Sequence, residues 1–205
     1  MNSKGRVFIV DDDEAVRESL AALLEAYEFD ATAFPSARDF LAQCERGASG
    51  CLLADVRMPD MDGLELQERV AIEFPGLAVV IMTGHGDVPI AVRAMKAGAV
   101  DFVEKPFAED RIIDTVRNAT ARVMDQQRQS ADTAEIEARL ALLTAREREV
   151  LDGLIAGLPN KTIGYDLGIS PRTVEVHRAR VMDKMQARSL SDLVRLALSV
   201  GLSPK

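Results

Sequence analysis

Five short strand-length runs, several of them apolar and β-branched, punctuate the first 125 residues, and each is followed by an amphipathic segment of helical length. The runs predict strands over 6–10, 30–34, 51–54, 78–82 and 101–103, with helices over about 14–27, 36–44, 62–74, 88–97 and 110–125. Strand and helix alternating in this way call for a parallel sheet with helices on both faces, an α/β doubly wound five-stranded fold. Open sheets of that kind carry their chemistry at the carboxyl ends of the strands, where the strand order reverses.

The first run ends in Asp11, Asp12 and Asp13, the third in Asp55, the fourth in Thr83, and the fifth in Glu104, Lys105 and Pro106. In a parallel sheet these ends point the same way, so several carboxylates, a hydroxyl and a lysine converge in a shallow cavity that packing alone does not require. Asp13 by itself reads as the N-cap of the following helix. Clustered carboxylates repel and persist only when protonated or neutralised by a cation. An all-oxygen site with few protein ligands suits Mg2+, which keeps several waters and recruits phosphate oxygens. An aspartate is ionised at neutral pH and can attack phosphorus, so Asp55 is the candidate nucleophile that would become an aspartyl phosphate. Mg2+, Lys105 and the Thr83 hydroxyl would stabilise the transferring group. Arg57 and His85 flank the route of a hydrolytic water, although His85 also reads as a solvated loop residue.

Charge divides the chain. Residues 1–124 carry 13 Lys and Arg against 22 Asp and Glu, residues 125–140 carry 2 against 4, and residues 141–205 carry 10 against 7. The tail is therefore the basic part, able to approach a polyanion. The stretch 125–135 has almost no large apolar residue and no period, which predicts a linker, partly helical, over 125–140 between domains at 1–124 and 141–205.

In the tail, Thr144 followed three residues later by Glu147 is a capping box that starts a helix ending near Gly157 to Pro159. A short helix over 160–167, a turn at Gly168-Ile-Ser and a third helix from Pro171 to about Gln186 make a helix-turn-helix. On the third helix Val174, Val181 and Met185 share the buried stripe, and Arg172, Glu175, Val176, Ala179, Arg180 and Asp183 face away from it. Glu175 can accept from cytosine and Val176 can touch a thymine methyl. Thr173 joins this DNA-facing set, and Lys161, Arg172, Arg180 and Lys184 are candidates for phosphates. Arg178 lies nearer the stripe and either snorkels to a phosphate or pairs with Glu175, while His177 either packs or reaches a base.

The loop Asp55-Val-Arg-Met-Pro-Asp-Met-Asp-Gly, with Asp11 and Asp12, Thr83-Gly and Lys105-Pro-Phe in that order, resembles the phosphoacceptor site of bacterial two-component receiver domains of the CheY/flavodoxin-like fold. The run Leu143-Thr-Ala-Arg-Glu-Arg-Glu-Val-Leu, with Ile169-Ser-Pro-Arg-Thr-Val-Glu-Val-His-Arg and Lys184-Met, resembles the all-α four-helix LuxR/NarL-type DNA-binding domain. Together they resemble response regulators of the FixJ/NarL class, and Gly84-His-Gly-Asp-Val-Pro with Leu158-Pro-Asn-Lys points to its FixJ branch. The resemblance implies Asp55 as phosphoacceptor, and a Mg2+ site of Asp11, Asp12, Asp55 and the Arg57 carbonyl. It also implies a cis bond from Lys105 to Pro106, and Thr83 and Phe102 as the switch pair. Dimer contacts would come from Val92, Met95 and Lys96 on the helix over 88–97, and from Leu193 and Val194 on the last helix, Leu190 to Val200.

The function expected from these residues is a phosphorylation-switched transcription factor. Its implied partners are a sensor histidine kinase, a pseudo-palindromic DNA operator, RNA polymerase and, once phosphorylated, a second copy of the chain. Its FixJ likeness implies activation of nitrogen-fixation or microaerobic genes. An RNA- or protein-binding tail is the alternative, but the third helix lacks the stacking aromatics of single-strand readers. A phosphatase of the haloacid dehalogenase type would need a second Asp two residues after the nucleophile, where Arg57 stands, so no enzyme is expected beyond slow self-dephosphorylation. The longest apolar run, Leu77 to Met82, is far short of the ~20 residues a membrane helix needs. With no secretory pattern at the start and only Cys44 and Cys51 as thiols, a cytoplasmic location is expected.

Overall fold

The computed structural model describes residues 4–84 and 88–202. Two compact units divide the chain, 1–127 and 128–205.

In the first unit the elements alternate as β1 (Arg6–Val10), α1 (Glu14–Ala26), β2 (Asp30–Phe34), α2 (Ala37–Gln43), β3 (Gly50–Asp55), α3 (Gly63–Glu73), β4 (Leu77–Thr83), α4 (Val88–Lys96), β5 (Asp101–Glu104) and α5 (Glu109–Ala141). All strands pair in parallel, in the order β2-β1-β3-β4-β5. Every residue of β3 and β4 is buried, which is why both read as unbroken apolar runs rather than alternating ones.

The period of two along each strand sorts side chains into two cores. Phe8, Val10, Leu52, Ala54, Val79 and Ile81 face one side with Phe40 of α2, Leu66 and Val70 of α3 and Ala94 of α4. Val7, Ile9, Cys51, Leu53, Val80 and Met82 face the other with Leu20 and Leu24 of α1 and Ile112, Ile113 and Val116 of α5. The crossover after β1 thus lies on one face and that after β3 on the other. The crevice at the carboxyl ends of these two strands is the point where the strand order reverses.

The second unit holds the end of α5, then α6 (Ala145–Ile155), α7 (Asn160–Leu167), α8 (Pro171–Lys184) and α9 (Leu190–Ser199). Val150, Leu151 and Leu154 of α6, Ile163 of α7, Val174 and Val181 of α8 and Leu193 and Ala197 of α9 share one core. The Thr144–Glu147 capping box and Pro171 at the start of α8, with Ser170 as its cap, stand where the sequence puts them.

The structure differs from the expected linker: residues 125–140 all lie inside α5. No glycine or proline interrupts Glu109 to Ala141, and a polar stretch of good helix formers continues a helix unless something stops it. Its end belongs to the second unit, because Ile136 and Leu140, one turn apart, enter that core. Arg139 donates to the Met185 carbonyl at the end of α8, at 3.3 Å, and pairs with Glu135 one turn back.

Candidate functional site

At the switch point, the side chains of Asp11 and Asp55 are buried, and the Lys105 ammonium bridges them at 2.5 Å to Asp11 Oδ2 and 2.6 Å to Asp55 Oδ1. The other oxygens are held too: Asp13 N–H donates to Asp11 Oδ1 at 3.0 Å, and Arg57 N–H to Asp55 Oδ2 at 2.6 Å. Lys105 is brought in by its own N–H, which donates to the Thr83 carbonyl at 2.6 Å, and the bond from Lys105 to Pro106 is cis. Burial pushes the Asp11 carboxyl above its ordinary range, and the hydrogen bond from Lys105 opposes but does not cancel the rise. Burial pulls Lys105 down, and its bonds to Asp11 and Asp55 more than reverse this, so the lysine sits above its usual value and stays cationic.

Asp12 is exposed beside Asp11, Thr83 is buried at the end of β4, and Phe102 is half-buried against the core under α2 to α4. Asp13 is the cap of α1, accepting from Ala15 and Val16. Among the described residues no three His, Cys, Asp or Glu side chains are preassembled around one point. The donor chemistry fits Mg2+: two buried carboxylates facing one crevice and an exposed third beside them are hard oxygen ligands, few enough to leave waters on the ion. His85 lies outside the described residues.

Two residues matter here that the sequence pattern does not single out. Arg17, on α1, donates to the Asp11 carbonyl at 2.9 Å and fixes the turn that carries the carboxylate. Gly63 opens α3 against the back of the acidic loop, its N–H donating to the Val56 carbonyl at 3.0 Å. An added Cβ would lie 2.2 Å from the Asp55 carbonyl oxygen. The sequence places a helix over about 62–74, but does not reveal the closeness of the strand behind its first turn.

On α8, Arg172, Thr173, Glu175, Val176, Ala179 and Arg180 are exposed along one side, as expected. The Thr173 hydroxyl is shared with Ser170 Oγ at 2.8 Å. His177 and Arg178 are half-buried, and His177 Nδ1 is buried with no hydrogen-bond partner among the described residues. No ion pair joins Arg178 to Glu175 among those residues. Lys161 is exposed on α7.

Lys184 is a correction. Its ammonium is committed to Glu147 Oε2 at 2.6 Å and to the Leu142 carbonyl at 3.0 Å, so it fastens α8 to the start of α6 instead of offering a charge to phosphate. Glu147 is 2% exposed, and its carboxyl is lowered to about 2 by the bond from Lys184 and by the Thr144 N–H. A depressed carboxyl contributes stability that is present above its unfolded value and lost as pH falls through the folded one. The chain is expected to lose this contribution between about pH 5 and pH 2. Glu147→Gln should flatten that part of the thermal-unfolding profile of the second unit, and an unchanged profile would contradict the role given to the pair.

Val92, Met95 and Lys96 are exposed on α4, available as a face. On α9, Leu193 is fully buried and Val194 half-buried, so Leu193 serves the core and not a dimer. With Leu193 and Ala197 one turn apart on the inner side, Leu190 and Leu198 are the exposed large apolar side chains of that helix.

An acid-lined switch point with a bridging lysine, followed by a helix-turn-helix, defines a phosphoacceptor module joined to a nucleic-acid reader. Residues 7–117 match the response regulator receiver domain and residues 141–197 the bacterial regulatory proteins of the luxR family. The chain belongs to the response regulators that join a receiver to a LuxR-type DNA-binding domain. It is 53% identical over 198 residues to the transcriptional regulatory protein FixJ of Azorhizobium caulinodans, covering 97% of this chain and 94% of that one. To FixJ of Bradyrhizobium diazoefficiens it is 49% identical over 202 residues, covering 98% of each. Among solved structures it is similar to the response regulator StyR, with TM-score 0.83, 41% identity, and 94% and 98% of the two chains covered. Full-length FixJ from B. japonicum gives TM-score 0.61 at 50% identity over 98% and 99%. The chain is thus a FixJ-like response regulator. A receiver implies a histidine kinase as partner and a LuxR-type domain implies DNA. Among the described residues no helix is long and apolar enough to cross a membrane.

Proposed function

We propose that Asp55 accepts a phosphoryl group from a histidine kinase, and that this acylphosphate drives two copies of the chain together on a pseudo-palindromic DNA site. The observation that carries the reading is the Lys105 bridge between Asp11 and Asp55 at the strand-order reversal. Asp55 is the nucleophile. Arg57 N–H steadies one of its oxygens, and Lys105, already cationic and in contact, is placed to follow the phosphoryl oxygens as negative charge gathers on them. Bound Mg2+, held by Asp11, Asp12, Asp55 and the Arg57 carbonyl, would neutralise carboxylate and phosphate charge together. Thr83, at the end of β4, would answer the new group with its hydroxyl, and Phe102 would carry the change toward the α4 face of Val92, Met95 and Lys96.

In the second unit Glu175 and Val176 read bases while Arg172, Arg180 and Lys161 hold phosphates. RNA polymerase is the final partner, and the FixJ likeness supports activation of nitrogen-fixation or microaerobic genes. Acetyl phosphate with Mg2+ tests the chemistry: one hydroxylamine-labile phosphoryl at Asp55 is expected, and a label elsewhere, or none, would count against it. For the reader, Glu175→Ala should lower discrimination at a base pair by about tenfold in a binding selection, about 1.4 kcal/mol and at the low end of what a good base contact contributes. Unchanged preference would remove Glu175 from the reading set.

A further inference from the structure

We propose that Tyr165 is a DNA-contacting residue, its hydroxyl donating a hydrogen bond to a backbone phosphate next to the one held by Lys161. The inference rests on the reading of α8 as the DNA-facing helix. Tyr165 is 86% exposed on α7, and neither its hydroxyl nor the Lys161 ammonium makes a hydrogen bond or ion pair with any described residue. Exposure alone marks nothing, since single apolar side chains are common on surfaces. The phase of the helix decides the matter.

With Asn160 at zero and about 100° per residue, Gly164 falls at about 40°, Lys161 at about 100°, Tyr165 at about 140°, Asp166 at about 240° and Ile163 at about 300°. Gly164 marks the side toward α8, because a Cβ there would lie 2.8 Å from the Ile169 carbonyl oxygen in the turn and 3.4 Å from Pro171 N. Ile163 marks the side toward α6, because its side chain would lie 2.7 Å from a Cβ on Gly153. Lys161 and Tyr165 therefore lie on the α8 flank, continuous with the exposed residues that begin α8. Asp166, the acidic residue beside them in sequence, is turned to the α6 flank.

Lys161 and Tyr165 stand one turn apart, with Cβ atoms about 6 Å from each other, comparable to the step between successive phosphates of one strand. An ammonium and a phenol at that spacing offer donors and no acceptor charge, which suits a phosphodiester edge. The first helix of a helix-turn-helix crosses the backbone while the second enters the groove, so this edge meets DNA where no base is read.

The test uses the full chain with Mg2+ and beryllofluoride and two duplexes, one selected by the wild type from a random pool and one of mixed sequence. Because Tyr165 is exposed, neither Tyr165→Phe nor Tyr165→Ala should disturb folding. Each should weaken binding to both duplexes by the same factor, about tenfold, leaving base preference and the salt slope unchanged. Lys161→Met should also reduce the salt slope, by about 0.9. Wild-type affinity in Tyr165→Phe, or a loss confined to the selected duplex, overturns the phosphate contact while leaving α8 as reader. A wild-type chain that binds neither duplex removes the DNA reading and this inference with it.

Discussion

An Asp55→Asn chain is expected to take up no phosphoryl from acetyl phosphate or a kinase while melting within about 1 kcal/mol of the wild type. The amide keeps the volume of the carboxylate and an oxygen for the Arg57 N–H, and it removes one of two buried charges that face each other across Lys105. What it loses is the nucleophile. Mass spectrometry of the treated variant reads the result directly, and a normal phosphoryl adduct on it would overturn the site.

Gly63→Ala should do the opposite, damaging fold and chemistry together. The new methyl would sit 2.2 Å from the Asp55 carbonyl oxygen and 2.9 Å from its carbon, both backbone atoms of a central strand. No flexible side chain can move aside, so either α3 withdraws from the Val56 carbonyl it donates to or the end of β3 shifts and takes Asp55 with it. Overpacking of a rigid site costs about 3 kcal/mol. Denaturant unfolding should register that loss, and the surviving folded fraction should label more slowly than wild type. A variant as stable and as reactive as the parent would contradict the description of this contact.

Much of this was legible in the sequence because it depends on local rules. The unbroken apolar runs of β1, β3 and β4, the Thr144 capping box and Pro171 at the head of α8 each declare their element without help from distant residues. The convergence of Asp11, Asp55, Thr83 and Lys105 followed from parallel strands ending on one side. What stayed hidden depends on which neighbour arrives. Lys184 looked like a free cation until Glu147, on another helix, took it. The resemblance put Leu193 at a dimer contact, yet the core of the second unit claims the Leu193 and Ala197 side of α9. Residues 125–140 looked like a linker because their composition is polar. Two apolar residues one turn apart, Ile136 and Leu140, were enough to anchor the end of that helix. The close approach at Gly63 and the reach of Arg17 to the Asp11 carbonyl likewise exist only once the strands are assembled.

In the proposed switch, charge chemistry at Asp55 controls self-association. Light scattering tests it most directly, on wild type and Asp55→Asn, each with and without Mg2+ and beryllofluoride, a mimic of the aspartyl phosphate. A mass near the 22.3 kDa of one chain is expected in every sample except treated wild type, where it doubles. A mass that does not change on treatment, or that doubles in treated Asp55→Asn as well, would contradict the proposed switch.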